Sequence, residues 1–99
     1  MKRSFEDSEI RAEATRRAQQ NYRQRGCHVG DTVAHPSVPR TFIVEAIGGG
    51  VALVRLAKKA DTGGEPVRRR FPIAELYDPA VARDLEFQVT AERIFKLKP

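Results

Sequence analysis

Arg40-Thr41-Phe42-Ile43-Val44-Glu45-Ala46-Ile47-Gly48-Gly49-Gly50-Val51-Ala52-Leu53-Val54-Arg55-Leu56-Ala57 decides the fold. Its first half is rich in β-branched residues and carries a Phe, which favours a strand. Phe42, Val44 and Ala46 fall on one face, and Ile43, Glu45 and Ile47 on the other. The three glycines then supply the positive φ that a tight hairpin turn needs. The return run Val51 to Ala57 is almost continuously apolar, as in a strand partly covered on both faces.

Working outward, Gly30-Asp31 opens a short strand, Thr32 to His35, and Pro36 and Pro39 bracket the loop that follows. On the other side, Asp61, Gly63, Gly64 and Pro66 mark a second turn. Val67 to Ile73 reads as a fourth strand, with Val67, Arg69, Phe71 and Ile73 on one face and Arg68 and Arg70 on the other. A short helical turn is expected from Ala74 to Tyr77, after Pro72. Short strands at close spacing with Gly-rich turns predict a small barrel. Its expected core is Val33, Phe42, Val44, Val51, Leu53, Phe71, Ile73 and Leu76.

Several of these residues together carry a likeness. Val29-Gly30-Asp31-Thr32-Val33, Pro39 through Phe42-Ile43-Val44 to Ile47, Gly49-Gly50 to Val54-Arg55, and Phe71-Pro72 with Leu76 resemble small bacterial SH3-like barrels of the YodC-like family. The resemblance covers about residues 29–77. It implies a barrel fold and no activity. The chain departs from the pattern by its long N-terminal segment, its C-terminal extension, its longer basic hairpin over 58–70 and its lack of Trp.

The flanks read differently. Residues 4–25 contain neither Pro nor Gly. Glu6, Asp7, Glu9 and Glu13 precede Arg16, Arg17, Arg23 and Arg25, the order that complements a helix dipole. Ser4 with Asp7 makes a weak capping box, and Gly26 suits a left-handed stop. The apolar stripe Ile10, Ala14, Ala18 and Tyr22 is narrow, so an accessory helix is expected. At the other end Asp78-Pro79 fits an N-cap followed by the first helical position, predicting a short helix to Leu85. Phe87, Val89 and Ala91 then alternate as in a closing strand, whereas Ile94, Phe95 and Leu97 break the alternation and keep a second helix open. The expected architecture is mainly β with an N-terminal helix, α+β overall: an accessory helix over 1–28, an SH3-like barrel over 29–77 and an extension over 78–99, all within one domain.

Composition bounds the function. The 99 residues carry 40% hydrophobic and 31% charged side chains, a globular balance. No apolar run approaches the roughly 20 residues of a membrane span, and one cysteine fits a reducing compartment, so a cytoplasmic protein without membrane partners is expected. Cys27, His28 and His35 are too few for a tetrahedral zinc site. Cys27 with either His lacks a third orienting group, and the glycine triplet lacks the Lys-Ser/Thr of a phosphate loop. No catalytic residue, metal or cofactor is therefore assigned, and an enzyme is not expected.

Net charge is +5 with a pI near 9.9, which suggests an anionic partner. The basic charge concentrates in one hairpin: Lys58 and Lys59 leave the third strand, and Arg68, Arg69 and Arg70 open the fourth. Such a cluster either guards a sheet edge against aggregation or contacts phosphates. Arg16 and Arg23 on the helix, with Arg11, extend the same surface, and Tyr22 stands near its end as an aromatic platform, as Tyr77 does further along. The expected activity is a non-enzymatic module that contacts nucleic acid (DNA or RNA) or a nucleoprotein complex through Lys58, Lys59, Arg68, Arg69, Arg70, Arg16, Arg23 and Tyr22. The alternative is a small adaptor or inhibitor, of the kind phages and mobile elements make, docking on an acidic protein surface. The pattern leaves the oligomeric state open.

Overall fold

The computed structural model describes residues 2–57 and 67–97, with side chains over 8–57 and 67–95. Helix α1 spans Lys2–Arg25, so Ser4 lies inside its first turn and not at its cap. Gly26, at φ 95°, ends it, and the Gly26 amide donates to the Tyr22 carbonyl at 2.9 Å. Strands β1 (Thr32–His35), β2 (Val38–Gly48), β3 (Val51–Leu56) and β4 (Arg68–Pro72) follow, then a 3-10 turn Ile73–Glu75 and helix α2 (Pro79–Leu97). The architecture is α+β.

The strands form an antiparallel meander in the order β1-β2-β3-β4. Gly49 (φ 59°) and Gly50 (φ 76°) sit at the β2–β3 turn, the pair of positive angles that a two-residue hairpin of matching twist requires. The expected barrel does not close: among the described residues no strand pairing joins β4 to β1. The chain instead returns to β1 at one point. Ala34 and Tyr77 exchange two backbone hydrogen bonds, of 2.8 and 3.1 Å. The sheet is nonetheless curled, because His35 at one edge stacks on Phe71 at the other, ring centroids 4.3 Å apart.

A bulge corrects the expected core. Val44 pairs with Val54 and Ala46 with Leu53, so Glu45 is the extra residue on β2. On β3 it is therefore Ala52 and Val54 that are buried with Phe42, Val44, Val33 and Leu76, while Val51 is exposed and Leu53 is only half-buried. Phe71 and Ile73 are partly buried at the margin of this cluster. The face assignment of β4 holds: Arg69 pairs with Val54 and Phe71 with Ala52 on the inner face, whereas Arg68 and Arg70 pair with Arg55 and Leu53 on the outer one.

The segment 86–97, which the sequence leaves between a closing strand and a second helix, is helical. Asp78 caps α2 as its sequence suggests, its Oδ1 accepting from the Ala80 amide at 2.9 Å with Pro79 at the first helical position. Nothing stops the helix at Leu85. Once it continues, Ala82 and Val89 lie on one buried face at helical spacing. The helix then runs back along α1. Arg93 reaches Glu9 (3.2 Å) and Glu13 (3.7 Å), and Arg17 reaches Glu92 (3.1 Å).

Helix α1 is also more than an accessory. Ala14, Ala18 and Tyr22 are fully buried, and the Tyr22 ring belongs to the same cluster as Phe42 and Leu76. Its hydroxyl donates to Asp31 Oδ2 at 2.8 Å. The His28 amide donates to the same oxygen at 3.0 Å, and Arg25 lies 3.5 Å from Oδ1. Burial alone would raise the Asp31 carboxyl, but the Tyr22 and His28 hydrogen bonds and the Arg25 charge outweigh it and hold it below the usual carboxylate range. Burial, with the neighbouring Cys27 and Asp31, pushes the Tyr22 phenol well up, so it stays a donor.

Tyr22→Phe should therefore cost about 1.5–3 kcal/mol in chemical denaturation, the value of a hydrogen bond to a charged acceptor. Asp31 is depressed in the folded state, so its contribution is complete above the unfolded value near 3.9 and is lost as pH falls through the folded one. Thermal melts from pH 7 down to 2 should show wild type and Asp31→Asn converging below about pH 4. A gap that widens in acid overturns this assignment.

Candidate nucleic-acid interface

The basic strand β4 lies at an edge of the sheet, and Arg68, Arg69 and Arg70 are all exposed on it. They do not act alike. The bulge at Glu45 turns its carboxylate over the outer face, where Oε2 lies 3.2 Å from Arg55 Nε and Oε1 accepts from Arg68 Nε at 2.8 Å. One carboxylate thus serves two guanidinium groups. Arg70, on the same face, and Arg69, on the other, have no ion pair among the described residues. The outer face around them is mixed, with Ile43 and Leu53 half-buried and Val51 exposed. Lys58 and Lys59 lie outside the described residues.

Arg16 and Arg23 are exposed on α1. Arg16 has only a distant partner in Glu13, at 4.0 Å, and Arg23 has none among the described residues. Arg16 is not grouped with β4. It lines an open groove of about 650 Å³ between the helices, with Arg11, Gln19, Tyr77, Arg83 and Glu86. Arg83 was missed by the sequence reading, because nothing in the local pattern around it tells that α2 folds back along α1. Burial raises the Tyr77 phenol, as does Glu86, while a hydrogen bond with Thr15 opposes the shift. This half-buried ring, and not Tyr22, is the aromatic surface beside a basic groove. Tyr22 cannot stack on a base: it is fully buried and its hydroxyl is spent on Asp31. Arg25 is neutralised by Asp31 and by Asp78 at 3.6 Å.

A second polar cluster resembles a catalytic array on distances alone. His35 Nε2 lies 2.7 Å from Glu75 Oε1, and Ser37 Oγ lies 2.7 Å from His35 Nδ1. The Ser37 amide donates to that same Nδ1 at 3.1 Å, so the proton sits on Nε2 and points at Glu75. The lone pair a serine nucleophile would use is already shared with an amide, and the amide is no longer free to hold an oxyanion. The cluster ties the β1–β2 turn to the 3-10 turn. Cys27 is half-buried beside the Tyr22 hydroxyl. Among the described residues no three His, Cys, Asp or Glu side chains are grouped to hold a metal ion, and no helix is long and apolar enough to cross a membrane.

Comparison with protein-family models, curated proteins and solved structures gives no match for this chain. The functional reading therefore stands on the charge geometry.

Glu45→Gln isolates that geometry. Exposed ion pairs contribute little, so chemical denaturation should show a change below about 1 kcal/mol. Arg55 and Arg68 would lose the Glu45 charge, and elution from a heparin column should move to higher salt. Unchanged elution would mean that the outer face does not meet the polyanion.

Proposed function

We propose that the protein is a non-enzymatic, cytoplasmic binding module that contacts nucleic acid, or a nucleoprotein complex, through phosphates. The observation that supports this most directly is the edge strand β4, with Arg69 and Arg70 exposed and unpaired among the described residues. Arg55 and Arg68 beside them both contact Glu45. Guanidinium forks match phosphate oxygens two at a time, and a row of them on one strand follows a backbone of repeated charge. Lys58 and Lys59 follow β3 in sequence, and Arg16 and Arg23 add cations on α1. We read the curled sheet as a small SH3-like barrel left open on one side; the stacking of His35 on Phe71 and the single return of Tyr77 to Ala34 support that reading.

The alternative partner is an acidic protein surface. The mixed outer face favours it, because Val51, Leu53 and Ile43 between arginines suit a polypeptide better than a phosphate backbone.

Fluorescence anisotropy with labelled duplex DNA, single-stranded DNA and structured RNA, at several salt concentrations, tests the first reading. Micromolar or tighter binding is expected, with a slope of log affinity against log salt of about −4 to −6 on duplex DNA. Arg68→Ala/Arg69→Ala/Arg70→Ala should weaken binding and flatten that slope by roughly 3. A flat salt response, or no binding to any of the three, overturns the phosphate reading. A partner retained from lysate after nuclease treatment would then favour the acidic protein.

A further inference from the structure

Helix α2 has two faces, and only one is covered. Ala82 and Val89 are buried, and the Arg93 guanidinium beside them is paired with α1. The opposite face carries Phe87, 77% exposed, Ala91, Ile94, 52% exposed, and Phe95, 74% exposed. Phe87 precedes Ala91 by four residues, and Ile94 and Phe95 follow it by three and four, which makes one continuous apolar stripe. The two rings expose on the order of 300 Å², and Ile94 brings the stripe to about 400 Å², in the range of the largest patches that monomers leave open for a purpose.

We propose that this face is the interface of a two-fold dimer, in which α2 of one copy lies antiparallel to α2 of the other with the axis at Ala91. Phe87 stands four residues before Ala91 and Phe95 four residues after it. An antiparallel apposition therefore brings Phe87 of each copy against Phe95 of the other, the self-complementarity that an isologous interface requires. A small residue on the axis lets the helices approach to the 8–10 Å of packed pairs. The centre holds no uncompensated charge: Gln88 and Thr90 are neutral, and Glu92 and Arg93 are engaged with α1. The stripe supplies about half of the roughly 800 Å² that a stable interface takes from each partner, which suits a dimer that forms with rising concentration. The fold has reason to use it. Among the described residues, five of the twelve buried apolar ones are alanines (Ala14, Ala18, Ala34, Ala52 and Ala82), a thin core of the kind that association reinforces in small domains.

Sedimentation velocity from about 1 to 200 µM tests the proposal, and a concentration-dependent dimer is expected. Phe87→Ser/Phe95→Ser should weaken it by about 30-fold, the loss of a central hot spot, with the far-UV circular dichroism unchanged because both rings are exposed. In a chain carrying Cys27→Ser, Ala91→Cys should cross-link to its copy under mild oxidation, while Ala46→Cys on the sheet should not. A chain that stays monomeric throughout overturns the dimer, and so does a dimer indifferent to the Phe substitutions. Loss of the dimer in that variant without a cross-link at position 91 overturns the axis.

Discussion

The structure depends on where the Tyr22 hydroxyl goes. A tyrosine ring can fill the concave face of a four-stranded sheet only if its hydroxyl finds an acceptor in the same apolar setting, since an unpaired buried hydroxyl costs about 1–3 kcal/mol. Asp31 is that acceptor, and it is fixed by its own surroundings. Gly30 takes φ 95° just before it, the Asp31 amide donates to the His28 carbonyl at 3.1 Å, and its carbonyl accepts from the Val44 amide at 3.0 Å. The hydrogen bond therefore sets the register between α1 and the sheet. With that register set, Ala14 and Ala18 are placed on the buried side of α1, and Glu13 and Arg17 at the seam with α2.

The same packing decides where the positive charge accumulates. Glu9, Glu13 and Glu92 are paired along the α1–α2 seam, Asp31 and Asp78 with Arg25, and Glu45 with Arg55 and Arg68, while Glu75 is hydrogen-bonded to His35. Among described residues outside these pairs, the acids are Asp84 and Glu86. The arginines are Arg11, Arg23, Arg40, Arg69, Arg70 and Arg83. The acids are thus engaged mostly in ion pairs, and the unpaired charge among the described residues is mainly positive. Charge placed in this way attracts polyanions more strongly than the same charge evenly mixed.

What was legible in the sequence follows the range of each interaction. The β2–β3 hairpin, the stop at Gly26, the Asp78-Pro79 start and the facing of Arg68, Arg69 and Arg70 are governed by neighbouring residues, and all were readable there. The inversion of β3 was not, because it depends on the extra residue at Glu45, and neither strand marks that residue by composition. Residues 86–97 are ambiguous in sequence for a related reason. Phe87, Val89 and Ala91 alternate in type, but Phe87 and Val89 lie on opposite faces of a helix, one exposed and one buried. Two apolar faces on one helix imitate a strand. Tyr22 was placed in the apolar stripe and among the contact residues at once, and only the Asp31 acceptor separates those roles. Of the candidate interface the arginine triplet was readable, while the groove joining Arg16 to Arg83 required the return of α2.

The basic strand and the apolar helix face are carried by different elements, and their chemistry separates them. β4 occupies one edge of the sheet, and α2 meets the sheet at β1, the other edge. A partner held by β4 would be attracted through charge and released by salt. A partner held by Phe87, Ile94 and Phe95 would be held by apolar burial, which salt at these concentrations barely weakens. Neither contact needs the other's surface, so a chain seated on a second copy through α2 would still present its arginine edge. Two copies joined in that way would present two such edges, and each would raise the effective concentration of the other along one polyanion. An 11.1 kDa chain with little core of its own would then gain both stability and reach from the same helix face.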